Sequence, residues 1–212
     1  MTEGLEKYIN DFLDELENVR RLSGNTILSY KNDLSQFSNF CSFKKITHPK
    51  DVSEKIIRNF VIELNQDDYS KSAISRKLSA IRSFYTYLLT NNKVENNPSS
   101  KIKGPKISRK LPETLSESDY LHLEKVLSDI EDEYEKELAK TIFELLYGCA
   151  LRVSELCDLN YGSLYLEEKI IRVLGKGSKE RIVPIGNKSI AIIKNYLNLR
   201  TGYRKSDPLL TR

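Results

Sequence analysis

Four side chains at helical spacing, Ser72, Arg76, Ser79 and Ser83, form the most chemically pointed pattern in the sequence. At roughly 100° per residue they fall within about sixty degrees of one another. The apolar stripe of the same segment, Ile74, Leu78, Ile81, Tyr85 and Leu88, lies opposite, with Lys77 and Arg82 at its flanks. Three hydroxyls and one guanidinium make a thin polar face without bulky side chains. Such a face can approach a phosphate backbone closely or enter a major groove, with Arg76 bridging two acceptors. The alternative is a solvated helix face that tolerates serine, although Glu, Lys and Gln are the more usual occupants of one. A second polar cluster, Gly175-Lys176-Gly177-Ser178-Lys179 followed by Arg181, reads as a turn whose glycines permit positive φ.

The charge around these clusters is banded. The net +4 of the 212 residues conceals −3 over residues 1–68, +9 over 69–110, −11 over 111–168 and +9 over 169–212. Two separated basic bands suggest two surfaces that meet a polyanion; local bias on a solvated surface gives the same pattern. No stretch approaches the roughly eighteen uncharged apolar residues of a membrane span. The segment Thr2-Glu3-Gly4-Leu5-Glu6 is acidic where a signal peptide is basic and then apolar. Cys41, Cys149 and Cys157 are odd in number and form no C-x-x-C pair. A disulfide scaffold and a zinc ribbon are therefore disfavoured, no metal site is expected, and a reducing cytoplasm fits.

Stripes of apolar residues place the clusters on elements. Helical spacing runs through residues 3–22, then from Ile27 to Cys41, then from a cap at Ser53 through Leu64, and again from Ser70 or Ser72 to Leu88. Four such stripes can bury one another in a bundle. Residues 98–112 hold three prolines, one glycine and five lysines or arginines; they read as an extended basic linker between domains at 1–97 and 113–212. Beyond it, Ser116 can cap a helix with Asp119 at the third position. An acidic loop from Asp129 to Glu137 leads to a helix over Leu138–Tyr147, closed by Gly148. A short helix, Val153–Leu159, precedes two β-branched strands, Lys169–Leu174 and Arg181–Ile185, and a last helix spans about 187–199.

Three stretches together resemble the tyrosine recombinases, specifically the Xer-like bacterial site-specific recombinases. They are Leu145-Leu146-Tyr147-Gly148-Cys149-Ala150-Leu151-Arg152-Val153-Ser154-Glu155-Leu156, the strand and turn Val173 to Arg181, and the fourth helix Ser72 to Phe84. The resemblance covers nearly the whole chain. It implies a mainly α fold: an N-terminal four-helix, SAM-like core-binding bundle, then part of an α-rich catalytic domain with a small β-hairpin. It also implies cleavage of DNA by a tyrosine hydroxyl through a 3′-phosphotyrosyl intermediate, with no cofactor. Arg152 matches the first catalytic arginine, whose guanidinium offers two donors to the non-bridging oxygens of the transition state. Glu155, one turn on, supports it. Lys176 matches the lysine that protonates the leaving oxygen. Lys179 and Arg181 fall with Ser72, Arg76, Lys77, Ser79 and Arg82 among the DNA contacts. The plainer alternatives are a helix-start arginine paired with Glu155 and an exposed hairpin tip. Ala150 stands where many relatives have glycine.

The family's later His-x-x-Arg motif does not occur: His48 precedes Pro49-Lys50-Asp51 and His122 precedes Leu123-Glu124-Lys125. In the family that motif and the nucleophilic tyrosine follow the hairpin and its helices, and Tyr203 is a poor candidate for the nucleophile. The resemblance therefore implies the N-terminal portion of a recombinase, inactive alone. It would bind a duplex recombination site and, at full length, join a second recombinase subunit in a tetrameric synapse. Chromosome partition and mobile-element integration both remain open. Two other readings stand: a non-catalytic DNA-binding protein that occupies recombination sites, and a helical protein–protein adaptor. A duplex titration separates the adaptor from the others, because binding through phosphates weakens log-linearly with salt.

Overall fold

The computed structural model describes residues 4–107, 114–175 and 179–211. The chain forms two compact units, residues 1–111 and 112–212.

The first unit contains four α-helices: α1 (Leu5–Asp14), α2 (Gly24–Phe43), α3 (Glu54–Gln66) and α4 (Lys71–Thr90). A π turn over Glu15–Val19 extends α1, so the expected continuous helix over 3–22 widens in its last turn and ends early. Serines start the other three. Ser23, Ser53 and Ser70 each accept a hydrogen bond from the amide three residues on, which satisfies one of the orphan donors of a first turn. The apolar stripes meet in an aromatic core. Phe12 lies 5.7 Å from Phe84 and Phe37 5.3 Å from Phe60, ring centre to ring centre, while the hydroxyl of buried Tyr85 donates to the Pro49 carbonyl at 3.1 Å.

The stretch expected to run extended and solvated from Pro98 is packed at its beginning. Asn97 accepts from the amide of Ser99 at 3.0 Å, and Ser99 and Ile102 are both buried. Ile102 belongs to the core of the bundle. One apolar residue with a place to go is enough to draw the chain back onto the unit; Lys101, Lys103 and Lys106 remain exposed. Residues 108–112 of the expected linker lie outside the described residues.

The second unit opens with α5 (Glu117–Ser128), started by a capping box in which Ser116 and Asp119 exchange hydrogen bonds. The acidic segment Asp129–Glu137 is not a loop throughout. Asp132 caps α6 (Glu133–Phe143), and the acidic side chains of Glu133 and Glu135 fill its first turn, where the helix dipole favours them. A π turn, Glu144–Gly148, follows. A Cβ at Gly148 would lie 2.2 Å from Oε1 of buried Glu144, so a larger residue there would push that carboxylate off the hydrogen bond it accepts from Ser189. Then come α7 (Val153–Cys157), β1 (Leu164–Tyr165), β2 (Ile170–Gly175), β3 (Lys179–Pro184) and α8 (Asn187–Asn198). The three strands form one antiparallel sheet in sequence order. The two-residue β1 was not anticipated; it is too short to show an alternation. In the hairpin Ile171 faces Val183 and Val173 faces Arg181. Ile171, Val173 and Val183 enter the core with Leu145, Leu151, Ile193 and Tyr196.

Among the described residues no helix is long and apolar enough to cross a membrane, and no group of three or more His, Cys, Asp or Glu is placed to hold a metal ion.

Candidate nucleic-acid interface and arginine cluster

In the first unit, α2 and α4 border a groove of about 370 Å³. Arg76 and Ser79 contribute from α4, Asn25, Thr26 and Ser29 from the first turns of α2, and Asp33 from one turn further along. Ser72 and Ser79 are exposed. The hydroxyls are less a bank of free donors than their spacing implied. Ser79 donates to the Ser75 carbonyl at 2.9 Å, and Ser83 accepts from the Tyr30 hydroxyl at 3.4 Å. What the face keeps is thinness, with one guanidinium standing on it.

That guanidinium is anchored. Asp33, 1% exposed, takes Nη1 of Arg76 on Oδ2 at 2.5 Å and Nζ of Lys77 on Oδ1 at 3.0 Å. Arg76 keeps 53% of its side chain exposed; Lys77 keeps only 7%, with its ammonium over the ring of Tyr69. Lys77, expected among the DNA contacts, is therefore a buried counter-ion. An isolated carboxylate at this depth would be costly, and the flank of the core stripe supplies its second partner. Arg82 is half-buried and donates to the Ile102 carbonyl at 2.9 Å, so it pins the following segment to the bundle.

The second unit repeats the arrangement with different elements. Glu155 on α7 is 2% exposed. Its Oε2 accepts from the backbone amide of Arg152 at 2.8 Å, and its Oε1 from Arg152 Nη1 at 2.6 Å. Arg181, expected to meet the DNA backbone, directs two guanidinium nitrogens to the same carboxylate: Nε to Oε1 at 3.0 Å and Nη2 to Oε2 at 2.7 Å. The reason is strand parity. Arg181 shares the inward face of β3 with Val183, and that face looks onto α7. The hydrogen bond from Arg181 is the largest influence holding the Glu155 carboxyl down at about 2, helped by the amide and guanidinium of Arg152 and opposed by burial. Gly175, at the end of β2, borders the cluster: a Cβ there would stand in ordinary contact, 3.7 Å, with Glu155 Oε1. Arg152 leaves 65% of its side chain exposed. A guanidinium held from behind and open in front is suited to an oxyanion.

Lys176 lies outside the described residues. Lys179 is exposed and pairs with Gly175. Tyr203 stacks on Tyr161 with ring centres 3.7 Å apart. Two features escaped the sequence reading. Asp33 sits three residues after Tyr30 and four before Phe37 on the core stripe of α2, and an acid at that spacing was the available signal. The Arg181–Glu155 pair spans 26 residues, and only the parity of Arg181 with Val183 pointed inward.

This fold, with an arginine presented beside a β-hairpin, defines the class to which the chain belongs. Residues 9–92 match the family model described as phage integrase, N-terminal SAM-like domain, and residues 114–211 match that of the phage integrase family. The chain belongs to the phage integrase family of tyrosine recombinases. It is 40% identical over 193 residues to the tyrosine recombinase XerC of Thermodesulfovibrio yellowstonii, covering 91% of this chain and 62% of that protein. It is 35% identical over 191 residues to the tyrosine recombinase XerD of Shewanella oneidensis, covering 89% of this chain and again 62% of the relative. The chain thus spans less than two thirds of the length of these curated relatives. The Tn1549 transposon integrase, solved in complex with transposon right end DNA, matches with a TM-score of 0.75 at 14% identity, over 95% of this chain and 67% of that one. A lambda integrase dimer bound to a COC′ core site gives 0.69 at 13% identity, over 91% and 65%. At these identities the likeness is one of fold.

Proposed function

We propose that these 212 residues supply the DNA-gripping and charge-stabilising parts of a site-specific DNA recombinase that works in the cytoplasm on duplex recombination sites. The observation that carries the reading is the cluster at Glu155: an exposed arginine, fixed from behind by a buried carboxylate, next to the residue that precedes the Lys176 turn. In this reading Arg152 binds the non-bridging oxygens of the scissile phosphate, where negative charge grows in the transition state. Lys176 delivers a proton to the departing 5′ oxygen. Glu155 and Arg181 hold Arg152 in place, and Lys179 touches the DNA backbone. The bundle over 1–97 grips the duplex through Ser72, Arg76 and Ser79, joined by Asn25, Thr26 and Ser29. Residues 113–212 form part of the catalytic domain, and residues 98–112 connect the two. Complexes of related integrases with DNA support duplex DNA as the partner, and several copies would assemble on it.

In the same reading none of the chain's twelve tyrosines is the nucleophile. Tyr203 is stacked on Tyr161, and Tyr134 and Tyr196 share a hydrogen-bonded network with Thr211. Stabilising charge without an attacking group forms no covalent intermediate. The test is a duplex nicked beside the scissile phosphate, incubated with the purified 212-residue polypeptide and resolved on a denaturing gel. Salt-dependent duplex binding without an adduct is the expected result. An adduct lost on changing one of these tyrosines to phenylalanine would place the nucleophile within the chain.

A further inference from the structure

Asp33 is a buried acid with two cations on it, and the two are not equivalent. Lys77 is enclosed, while Arg76 reaches the groove between α2 and α4 with half its side chain exposed. Only Nη1 of Arg76 is used by Asp33; among the described residues, no hydrogen bond engages its Nε or Nη2. Two positive charges on one negative leave the group at net +1, with the surplus on the side of Arg76. The carboxylate therefore does not repel an approaching phosphate. An arginine free in solvent must freeze several torsions when it binds a base edge or a phosphate. One already tethered at Nη1 has much of that freedom removed and presents its remaining N–H groups in a fixed plane.

We infer that Asp33 is a positioning residue for DNA recognition, a buried tether that orients Arg76 towards the duplex, with Lys77 as the counter-ion that lets the carboxylate be buried. The inference rests on the reading of the first unit as duplex-binding. A core ion pair that served stability alone would make no use of an exposed, half-satisfied guanidinium. The parallel cluster at Glu155, on an unrelated set of elements, uses the same placement: acid behind, arginine in front.

The test is a cycle of duplex affinities at fixed salt for the full chain, Arg76→Ala, the double variant Asp33→Leu/Lys77→Met, which leaves no acceptor for Arg76 Nη1, and the triple variant. The double variant removes one charge of each sign and leaves net charge unchanged, so the long-range attraction to DNA is preserved. Arg76→Ala is expected to weaken binding by about tenfold. The double variant is expected to lose roughly three- to fivefold, less than removal of the contact itself costs, and the triple variant to bind no more weakly than Arg76→Ala. A double variant that binds like the parent, or whose loss multiplies with that of Arg76→Ala, overturns the inference. So does Arg76→Ala binding like the parent, and in that case the duplex-binding reading survives. A parent chain that binds no duplex at all removes that reading and the inference with it. Circular dichroism melts check folding. If the double variant does not fold, Asp33→Glu replaces it. That change keeps the charge, moves the carboxylate by one methylene, and must show the same absence of added loss in the Arg76→Ala background.

Discussion

The two units solve one electrostatic problem with different supports. In the first, Asp33 lies on a twenty-residue helix and its partners on another of equal length, 43 and 44 residues away. In the second, Glu155 sits on the five-residue α7, with one arginine at the same helix start and the other on a strand. Both acids are nearly inaccessible, and both hold an arginine that is more than half exposed. The difference is the second cation: Lys77 is enclosed, whereas Arg181 keeps 40% of its side chain exposed. A stranded buried charge is far more costly than a stranded surface charge. The first acid thus secures the fold as well as the arginine. The second acts mainly on orientation.

The largest effect expected from this contrast is at Asp33. Asp33→Ala leaves the Lys77 ammonium buried beside Tyr69 without a counter-ion, and should destabilise the first unit by about 3–5 kcal/mol. Urea unfolding followed by circular dichroism reads it directly. Adding Lys77→Met should recover much of the loss, because an apolar side chain suits that site once the charge is gone. No recovery would mean that Asp33 contributes through packing or through Arg76 rather than through Lys77.

Glu155→Gln should cost less, roughly 1.5–3 kcal/mol for charge-assisted hydrogen bonds lost, since Arg152 and Arg181 can both turn to water. The pH dependence distinguishes this acid further. Its carboxyl sits at about 2 against an ordinary 4.5. A depressed value means that its stabilising contribution is complete above pH 4.5 and is lost as pH falls towards 2. The groups facing it, Arg152 and Arg181, stay charged throughout that window. The parent should therefore lose stability over that range more steeply than Glu155→Gln. Parallel profiles would show that the two arginines do not hold the carboxylate as the geometry indicates.

The contrast also explains what could be read from the sequence. Helix stripes and serine caps depend on residues within one or two turns, so the four helices of the first unit and the cap at Ser116 were legible. The Arg152–Glu155 pair was legible for the same reason, being three residues apart. The acidic run at 129–137 misled because its charge suggested solvent, whereas Asp132 and the acids after it start a helix. Lys77 misled because side-chain type says cation while position on the stripe says interior. Asp33 with Arg76 and Arg181 with Glu155 are made by tertiary packing across 43 and 26 residues. No local pattern encodes such partners. Parity and stripe position show only that a polar group faces inward.

The smallest expected effect concerns the platform beneath the second arginine. Ala150 has φ = +51°, the left-handed region that glycine enters freely and alanine does not. Its carbonyl accepts a long contact, 3.4 Å, from Arg181 Nη2. The turn that brings Arg152 to Glu155 is therefore held in a disfavoured backbone state, whereas Asp33 and Arg76 sit in regular helix. Ala150→Gly removes the Cβ conflict but adds freedom to the unfolded chain, so the two effects partly cancel. A net gain of at most about 1 kcal/mol is expected, seen as a higher urea midpoint with an unchanged slope. An equivalent alanine-to-glycine change in the middle of α4, at Ala80, should do the reverse and lose about 1 kcal/mol or more, because helix propensity and a buried methyl are both lost there. Equal signs at the two positions would show that the strain at Ala150 is not what separates the second cluster from the first.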